Sequence, residues 1–236
     1  MRSVIKIAIM QPYFFPYIGY FQLMNAVDKF VIYDDVTYIK SGWINRNKIL
    51  ANNMEYMFTA PLRNASSNIL IKDIQLSLNK KWKIKLLQTL SQNYKKAPYF
   101  EVIFLLVSQI VNTSTEFIRD MHLNSFQLIG EYLSIETSII DTSVNYDNQN
   151  LKGQQRILDI CMKENADHYI NPLGGQELYD KELFINNGIK LNFLKSKEIN
   201  YLQFNKEFIP WLSIIDVMMF NSPEEIIKML NEYELI

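Results

Sequence analysis

The sequence predicts a three-layer α/β fold with a mainly parallel sheet and a Rossmann-like entry. Three observations carry this. Two β-branched runs, Val4 to Ile9 and Lys29 to Tyr33, flank a helical repeat within about thirty residues. That strand–helix–strand spacing is a βαβ unit, whose strands lie parallel. Alternation of strand and helix signals resumes after residue 134, beyond a block that reads as helix alone.

The elements follow in order. The first strand is short, apolar and stopped by Gln11-Pro12. Tyr20, Leu23, Met24 and Val27 share one face of a helix over 17–27. The second strand runs to Tyr33, and Met54 to Ala60 is a further strand closed by Pro61. Trp82, Leu86, Leu87, Leu90 and Tyr94 then fall on one helical face, 100–111 is apolar nearly all round, and Phe117 to Tyr132 repeats with helical period. Pro98 separates the first two of these helices, and 112–115 supplies caps before the third. Residues 80–133 therefore read as a helical subdomain inserted in a single α/β domain spanning 1–236. Beyond it come a strand at 137–140, a helix at 154–163 and a strand at 168–170. A glycine loop at 171–175, a helix at 178–186 and a strand at 190–194 follow. Two helical turns, 213–220 and 223–233, end the chain.

Composition narrows the function classes. A chain of 236 residues can bury a substantial core. The formal net charge is −1, so no chain-wide basic field argues for nucleic acid. The apolar run before Gln11 is too short for a secretory signal, and no apolar stretch approaches the ~18 residues of a membrane span. One cysteine, Cys161, excludes an intrachain disulfide and reads as a buried thiol. A cytoplasmic location is expected. Two histidines far apart in sequence, His122 and His168, argue no zinc site, and no metal ligand is assigned. Ser213 reads as a helix cap, since no G-x-S-x-G elbow surrounds it.

The candidate site lies where the strands end, because open α/β sheets bind ligands there. Gln11, Tyr13 and Tyr20 belong to a proline-pinned aromatic run, in which Gln11 either caps the next helix or polarises a substrate. Tyr17-Ile-Gly-Tyr-Phe stands where nucleotidylyltransferase-like and pantothenate-synthetase-like folds carry His-x-Gly-His, without the histidines. Asp34 and Asp35 end the second strand and are candidates for a catalytic base, alongside a reading as one solvated carboxylate and one cap. Tyr38, Lys40, Trp43, Asn45, Arg46 and Asn47 follow in a stretch of poor helical or strand pattern. Arg46 and Lys40 suit an anion, the asparagines add neutral donors, and Trp43 offers a stacking face. Asn171, Gly174, Gly175 and Tyr179 would bring bare backbone amides and a ring to the same rim, as would Tyr201. A plain glycine turn explains the same residues.

The run Gln11-Pro-Tyr-Phe-Phe-Pro-Tyr-Ile-Gly-Tyr-Phe-Gln22 joins Val31-Ile-Tyr-Asp-Asp35 and Gly42-Trp-Ile-Asn-Arg-Asn47. With Tyr94 to Phe100, Tyr169 to Gly175, Leu178-Tyr179 and Leu212 to Asp216, it resembles the WbqC-like family over essentially the whole chain. That family takes its name from bacterial surface-polysaccharide gene clusters. The resemblance implies a setting in O-antigen or related glycan assembly, and it transfers no catalytic residue. The expectation is an enzyme that moves an acyl or aminoacyl group onto a nucleotide-linked amino sugar, with an acyl donor such as acyl-CoA. Asp34 or Asp35 would be the base, and Gln11 and Asn45 the polarising donors. A non-catalytic sugar- or partner-binding scaffold and a divergent nucleotide-activating ligase are the alternatives. The oligomeric state stays open.

Overall fold

A computed structural model describes residues 3–204 and 207–236. Six strands form the main sheet: β1 (Lys6–Met10), β2 (Lys29–Ile32) and, beyond the four strands of two small hairpins (β3 to β6), β7 (Ser138–Ile140), β8 (His168–Pro172), β9 (Lys190–Ser196) and β10 (Tyr233–Leu235). Their spatial order is β10-β9-β8-β1-β2-β7, and every pairing is parallel except β9–β10. Chain order thus runs outward from β1 on one side, then restarts at β8 on the other. The carboxyl ends of β1 and β8 form the topological switch point of a doubly wound sheet.

Side-chain alternation divides the core in two. Ile7 and Ile9 point to one face with Val31, Tyr169, Leu191 and Phe193, and Ala8 points to the other with Phe30, Ile32, Ile170 and Leu194. The first face is covered by α5 (Gly153–Lys163) and α6 (Lys181–Asn186), through Ile157, Leu158, Ile160, the buried Cys161 and Phe184. The second carries α1 (Ile18–Asn25), the helices α2 (Lys81–Tyr94), α3 (Phe100–Val111) and α4 (Ile118–Tyr132), and the terminal α7 (Ile214–Phe220) and α8 (Pro223–Met229). Leu90, Ile103, Val107, Met121 and Phe126 of the inserted helices share one continuous core with Phe30 and Met218. Helix on sheet on helix is the three-layer α/β architecture that the pattern predicts.

Local chemistry sets the helix ends. Ser213 Oγ accepts from the Ile215 amide at 3.3 Å, the expected cap on α7. Ser222 and Glu225 form a reciprocal capping box on α8, with Pro223 at its first position. The segment 112–115 does not cap α4, however. Thr115 Oγ1 accepts from the Phe117 amide and donates to Asp120 Oδ2, so it fixes the approach to the helix.

Four other regions depart from the sequence pattern. The stretch expected to lack pattern contains β3 (Arg46–Ala51), which pairs antiparallel with β4 (Met54–Thr59) from Arg46↔Thr59 to Ala51↔Met54. Two-residue strands β5 (Leu62–Arg63) and β6 (Gln75–Leu76) form a second small hairpin. Residues 230–233 are not helical: the chain turns after α8 and adds β10 to the sheet edge. The glycine loop is a 3-10 turn over Leu173–Leu178, and α6 begins only at Lys181.

Candidate functional site

A cleft of about 540 Å³ opens at the switch point. Gln11, Tyr13 and Tyr17 line it from the β1–α1 connection, Tyr20 from α1, and Tyr33 from the end of β2. Ile39 and Trp43 form its outer wall, while Asn171, Gly174, Gly175 and Tyr179 come from β8 and the turn beyond. Eight of the expected site residues therefore meet here: Gln11, Tyr13, Tyr20, Trp43, Asn171, Gly174, Gly175 and Tyr179.

The aromatic loop is rigid because other elements hold its backbone. The Phe14 amide donates to Trp43 O at 2.9 Å. Asn47 Nδ2 donates to the carbonyls of Phe14 and Phe15, at 3.1 and 2.8 Å. Ser213 Oγ also donates to Phe15 O at 2.7 Å, and the Ile214 amide donates to Pro16 O at 2.8 Å. Phe15 adopts φ +43°, a left-handed conformation that costs an aromatic residue on the order of 1 kcal/mol or more. Its doubly held carbonyl and fully buried ring keep it there. The strained bend turns Tyr13 and Tyr17 toward the cleft while Phe14 and Phe15 fill the core.

The cleft is uncharged. None of its described lining residues is acidic or basic. Burial raises the pKa of Tyr13, Tyr17, Tyr20, Tyr33 and Tyr179, so all five remain phenols at neutral pH. Tyr20 spends its hydroxyl on Gln11 O at 3.0 Å, which leaves its ring as a wall. The Gln11 side-chain amide is half-buried and makes no hydrogen bond among the described residues. Asn171 is buried: its Oδ1 accepts from Tyr169 at 2.9 Å and its Nδ2 reaches Pro172 O at 3.2 Å. A Cβ at Gly175 would fall far inside contact distance of Asn171 Nδ2, so glycine there is what lets the turn close over Asn171.

The carboxylates expected as catalytic lie outside this lining. Asp34 is fully buried; its Oδ1 accepts from Thr142 Oγ1 at 2.8 Å and from the Ser143 amide at 3.1 Å. Arg119 Nη1 of α4 lies 3.1 Å from Asp34 Oδ2, an ion pair without an aligned hydrogen bond. Burial outweighs these partners and raises the Asp34 pKa. Asp35 is paired with Arg156 of α5, accepts from Ser143 Oγ, and accepts from Gln149 Nε2 at 3.1 Å. Arg156 also donates Nε–H to Asn148 Oδ1 at 2.8 Å and stacks 5.0 Å from the Tyr33 ring centre. The pair thus ties the sheet's β2 end to helices on both faces, and neither carboxylate is one solvated group beside one cap.

The polar residues of 38–47 serve the loop. Tyr38 donates to Asn45 Oδ1 at 3.0 Å, and Asn45 Nδ2 donates to Ala60 O at 2.9 Å, so the amide expected as a polarising donor is spent. Arg46 neither faces the cleft nor pairs with Asp34 or Asp35; its guanidinium holds the carbonyls of Ser41 and Gly42. Lys40 is exposed between Ile39 and Trp43 and has no ion pair among the described residues. Tyr201 lies away from the cleft, bound to the buried Asp216 at 2.6 Å together with Tyr94 and Gln203. Tyr17, Gly19, Tyr33, Ile39 and Leu178 are lining residues that were not selected from sequence. The position of Tyr33 at a strand's carboxyl end was the available signal for one of them.

His122 is buried in α4 with one ring nitrogen 2.7 Å from Ile44 O, and His168 opens β8 beside Asn192. Among the described residues no three His, Cys, Asp or Glu side chains gather as a metal site requires, and no helix is long and apolar enough to cross a membrane.

Comparison with known proteins is consistent across the chain. An uncharacterized protein, Rv1507c, of Mycobacterium tuberculosis (strain ATCC 25618 / H37Rv) is 27% identical over 223 residues, which is 92% of this chain and 93% of that protein. No solved structure matches. The model of the WbqC-like protein family matches residues 11–228, a span that includes the aromatic loop, the inserted helices and both sides of the cleft, and the chain belongs to that family.

Proposed function

We propose that the switch-point cleft binds a nucleotide-linked amino sugar and that the protein serves bacterial surface-polysaccharide assembly, transferring an acyl or aminoacyl group to the sugar's amine. One observation carries the binding claim: a rigid, uncharged cleft at the switch point, walled by tyrosines and Trp43. Aromatic faces suit a nucleobase or sugar ring, and stacking is worth about 1–3 kcal/mol per base. The setting rests on family membership.

In the transfer, the amine nitrogen attacks the acyl carbonyl of a donor such as acyl-CoA. The new C–N bond forms as the thioester C–S bond breaks, and the departing thiolate takes up the amine's proton. Gln11, with its side-chain amide unengaged at the cleft wall, is the donor for the developing oxyanion. Asp34 and Asp35 are assigned no proton transfer here, because Arg119 and Arg156 hold them. A second reading, a non-catalytic sugar-binding scaffold, is favoured by the absence of any acidic or basic side chain in the described lining.

A panel of nucleotide-linked amino sugars, with and without acyl-CoA donors, tests both by melting shifts, titration calorimetry and mass spectrometry. At least one sugar nucleotide should raise the melting temperature. Trp43→Ala should weaken it about tenfold to a hundredfold without lowering stability, since Trp43 is 42% exposed. Acylated product supports the transferase; binding without product supports the scaffold. If no sugar nucleotide binds, the proposal falls.

A further inference from the structure

Charge along the chain is unevenly placed. Residues 74–100 contain six lysines and no Asp or Glu, although the whole chain is −1, so the remaining residues together carry −7. Most of that positive block is α2 and the residues at its two ends. Lys80, Lys81, Lys85, Lys95 and Lys96 are exposed and make no ion pair among the described residues. Lys83 is half-buried over the Trp82 ring, and burial followed by the Lys80 charge lowers its pKa.

Apolar side chains stand among these cations. Ile84 is 58% exposed and shares the outer stripe of α2 with Lys81, Lys85 and Gln88, at spacings of three and four residues. Leu78, just before the helix, is 71% exposed. The inner stripe, Trp82, Leu86, Leu90 and Tyr94, fills the core, so the outer one has no partner among the described residues.

The helix is also placed against its own dipole. Lys80 is the N-cap residue, Lys81 and Lys83 fall in the first turn, and no acidic residue joins them. Cations at the positive end of a helix destabilise it. A solvated surface has no use for that arrangement, whereas a negatively charged plane offsets it.

We infer that the outer face of α2, with Leu78 and Ile84 among Lys80, Lys81 and Lys85, docks on an anionic lipid bilayer. The lysines supply attraction to the headgroups and the two aliphatic chains enter the headgroup–acyl boundary. The −7 remainder repels the same plane and orients the protein with α2 toward it. Docking of this kind is peripheral and independent of the cleft reading.

Co-sedimentation with vesicles tests this directly. The full chain should bind phosphatidylglycerol vesicles, bind phosphatidylcholine vesicles far less, and be released by 0.5 M salt. Each lysine near the surface contributes about fivefold in partitioning, so the triple variant Lys80→Glu, Lys81→Glu, Lys85→Glu should lose more than about a hundredfold. Because acidic residues favour the start of a helix, that variant should melt at or above the parent temperature, which separates lost docking from lost fold. Ile84→Ser should lose roughly tenfold with the charge intact. Absence of binding to phosphatidylglycerol, equal binding to phosphatidylcholine, or undiminished binding by the triple variant would overturn the inference. So would heparin capture comparable to vesicle binding with Ile84→Ser indistinguishable from the parent, which would assign the face to a soluble polyanion.

Discussion

Two loops leave neighbouring strands at the same edge of the sheet, and they are opposites. The loop after β1 is neutral, aromatic and held by its backbone; Gln11, Tyr13 and Tyr17 face an open cleft while Phe14 and Phe15 anchor it in the core. The loop after β2 is ionic, with Asp34 and Asp35 buried against Arg119 and Arg156 and away from the cleft lining. Charged side chains at a strand end invite a catalytic reading because they are chemically capable. Here their capability is consumed in joining the sheet to α4 and α5. Gln11, whose side-chain amide has no partner among the described residues, and the rings of Tyr13, Tyr17 and Trp43 are left facing the cleft.

The contrast is most easily broken at Arg156. Arg156→Ala leaves the buried Asp35 carboxylate without its cation, and losing one partner of a buried pair costs about 3–5 kcal/mol. The urea midpoint should fall accordingly, while ligand affinity of the remaining folded protein should hold. Arg156→Met combined with Asp35→Asn should lose less than Arg156→Ala alone, because no buried charge is stranded. A stable Arg156→Ala protein that had lost ligand binding would make the Asp35–Arg156 pair functional and abolish the distinction.

A second effect, nearly as large, belongs to the core beneath the aromatic loop. Burial pulls the His122 pKa down to about 4, against an ordinary value of 6.5, and its contact with Ile44 O only partly opposes this. The ring is neutral, with one nitrogen at Ile44 O and Nδ1 without a partner among the described residues. A depressed folded pKa gives stability that is fully present above pH 6.5 and lost as pH falls through about 4. The shift corresponds to about 3 kcal/mol. Chemical denaturation at pH 7 and pH 4 should show that loss, and His122→Phe should flatten the dependence. An equally steep fall in His122→Phe would assign it to other groups.

The legibility of this molecule follows the range of its interactions. β1, β2 and α1 were readable because their patterns are local: β-branched runs, a helical repeat, Pro12 as a stop. The aromatic loop was readable for the same reason, since two prolines in five residues leave a chain few conformations. Arg119 and Arg156 stand 85 and 121 positions from the aspartates they neutralise, and nothing local marks either as a partner. β3 was hidden because Asn45, Arg46 and Asn47 look like loop chemistry, although Asn47 is buried and spends its amide on the loop of β1. β10 was hidden because its pattern continues from α8 and only the edge of β9 makes it a strand.

A sharper form of the comparison asks how far the neutral site depends on shape alone. Gly175→Ala adds a methyl group where Asn171 Nδ2 already sits. Asn171 is buried and held by Tyr169, so it cannot swing aside freely, and overpacking of this kind costs about 1–3 kcal/mol. Melting should fall modestly and cleft affinity should fall with it. Gly174→Ala, where an added Cβ meets nothing within contact range, is the matched control and should leave both unchanged. Equal behaviour of the two variants would mean that the turn has no close-packed role.

Arg46 should show the smallest effect, and it separates the two loops most finely. In the structure its guanidinium closes the turn at Ser41 and Gly42, where Ser41 adopts φ +62°. Arg46→Ala should therefore cost about 1 kcal/mol, as for hydrogen bonds at a half-exposed site. Its influence on ligand should pass through the neighbouring wall residues Ile39 and Trp43 rather than through charge. A positioning role makes that influence insensitive to ionic strength, because no ligand phosphate is contacted. An anion-binding role makes affinity for a diphosphate-bearing ligand fall tenfold or more and makes the parent's affinity strongly salt-dependent. Titrating a sugar nucleotide into parent and Arg46→Ala protein at 50 and 300 mM salt distinguishes them. Parallel, shallow salt dependence places Arg46 with the structural charges; a steep dependence that vanishes in Arg46→Ala would return it to the site.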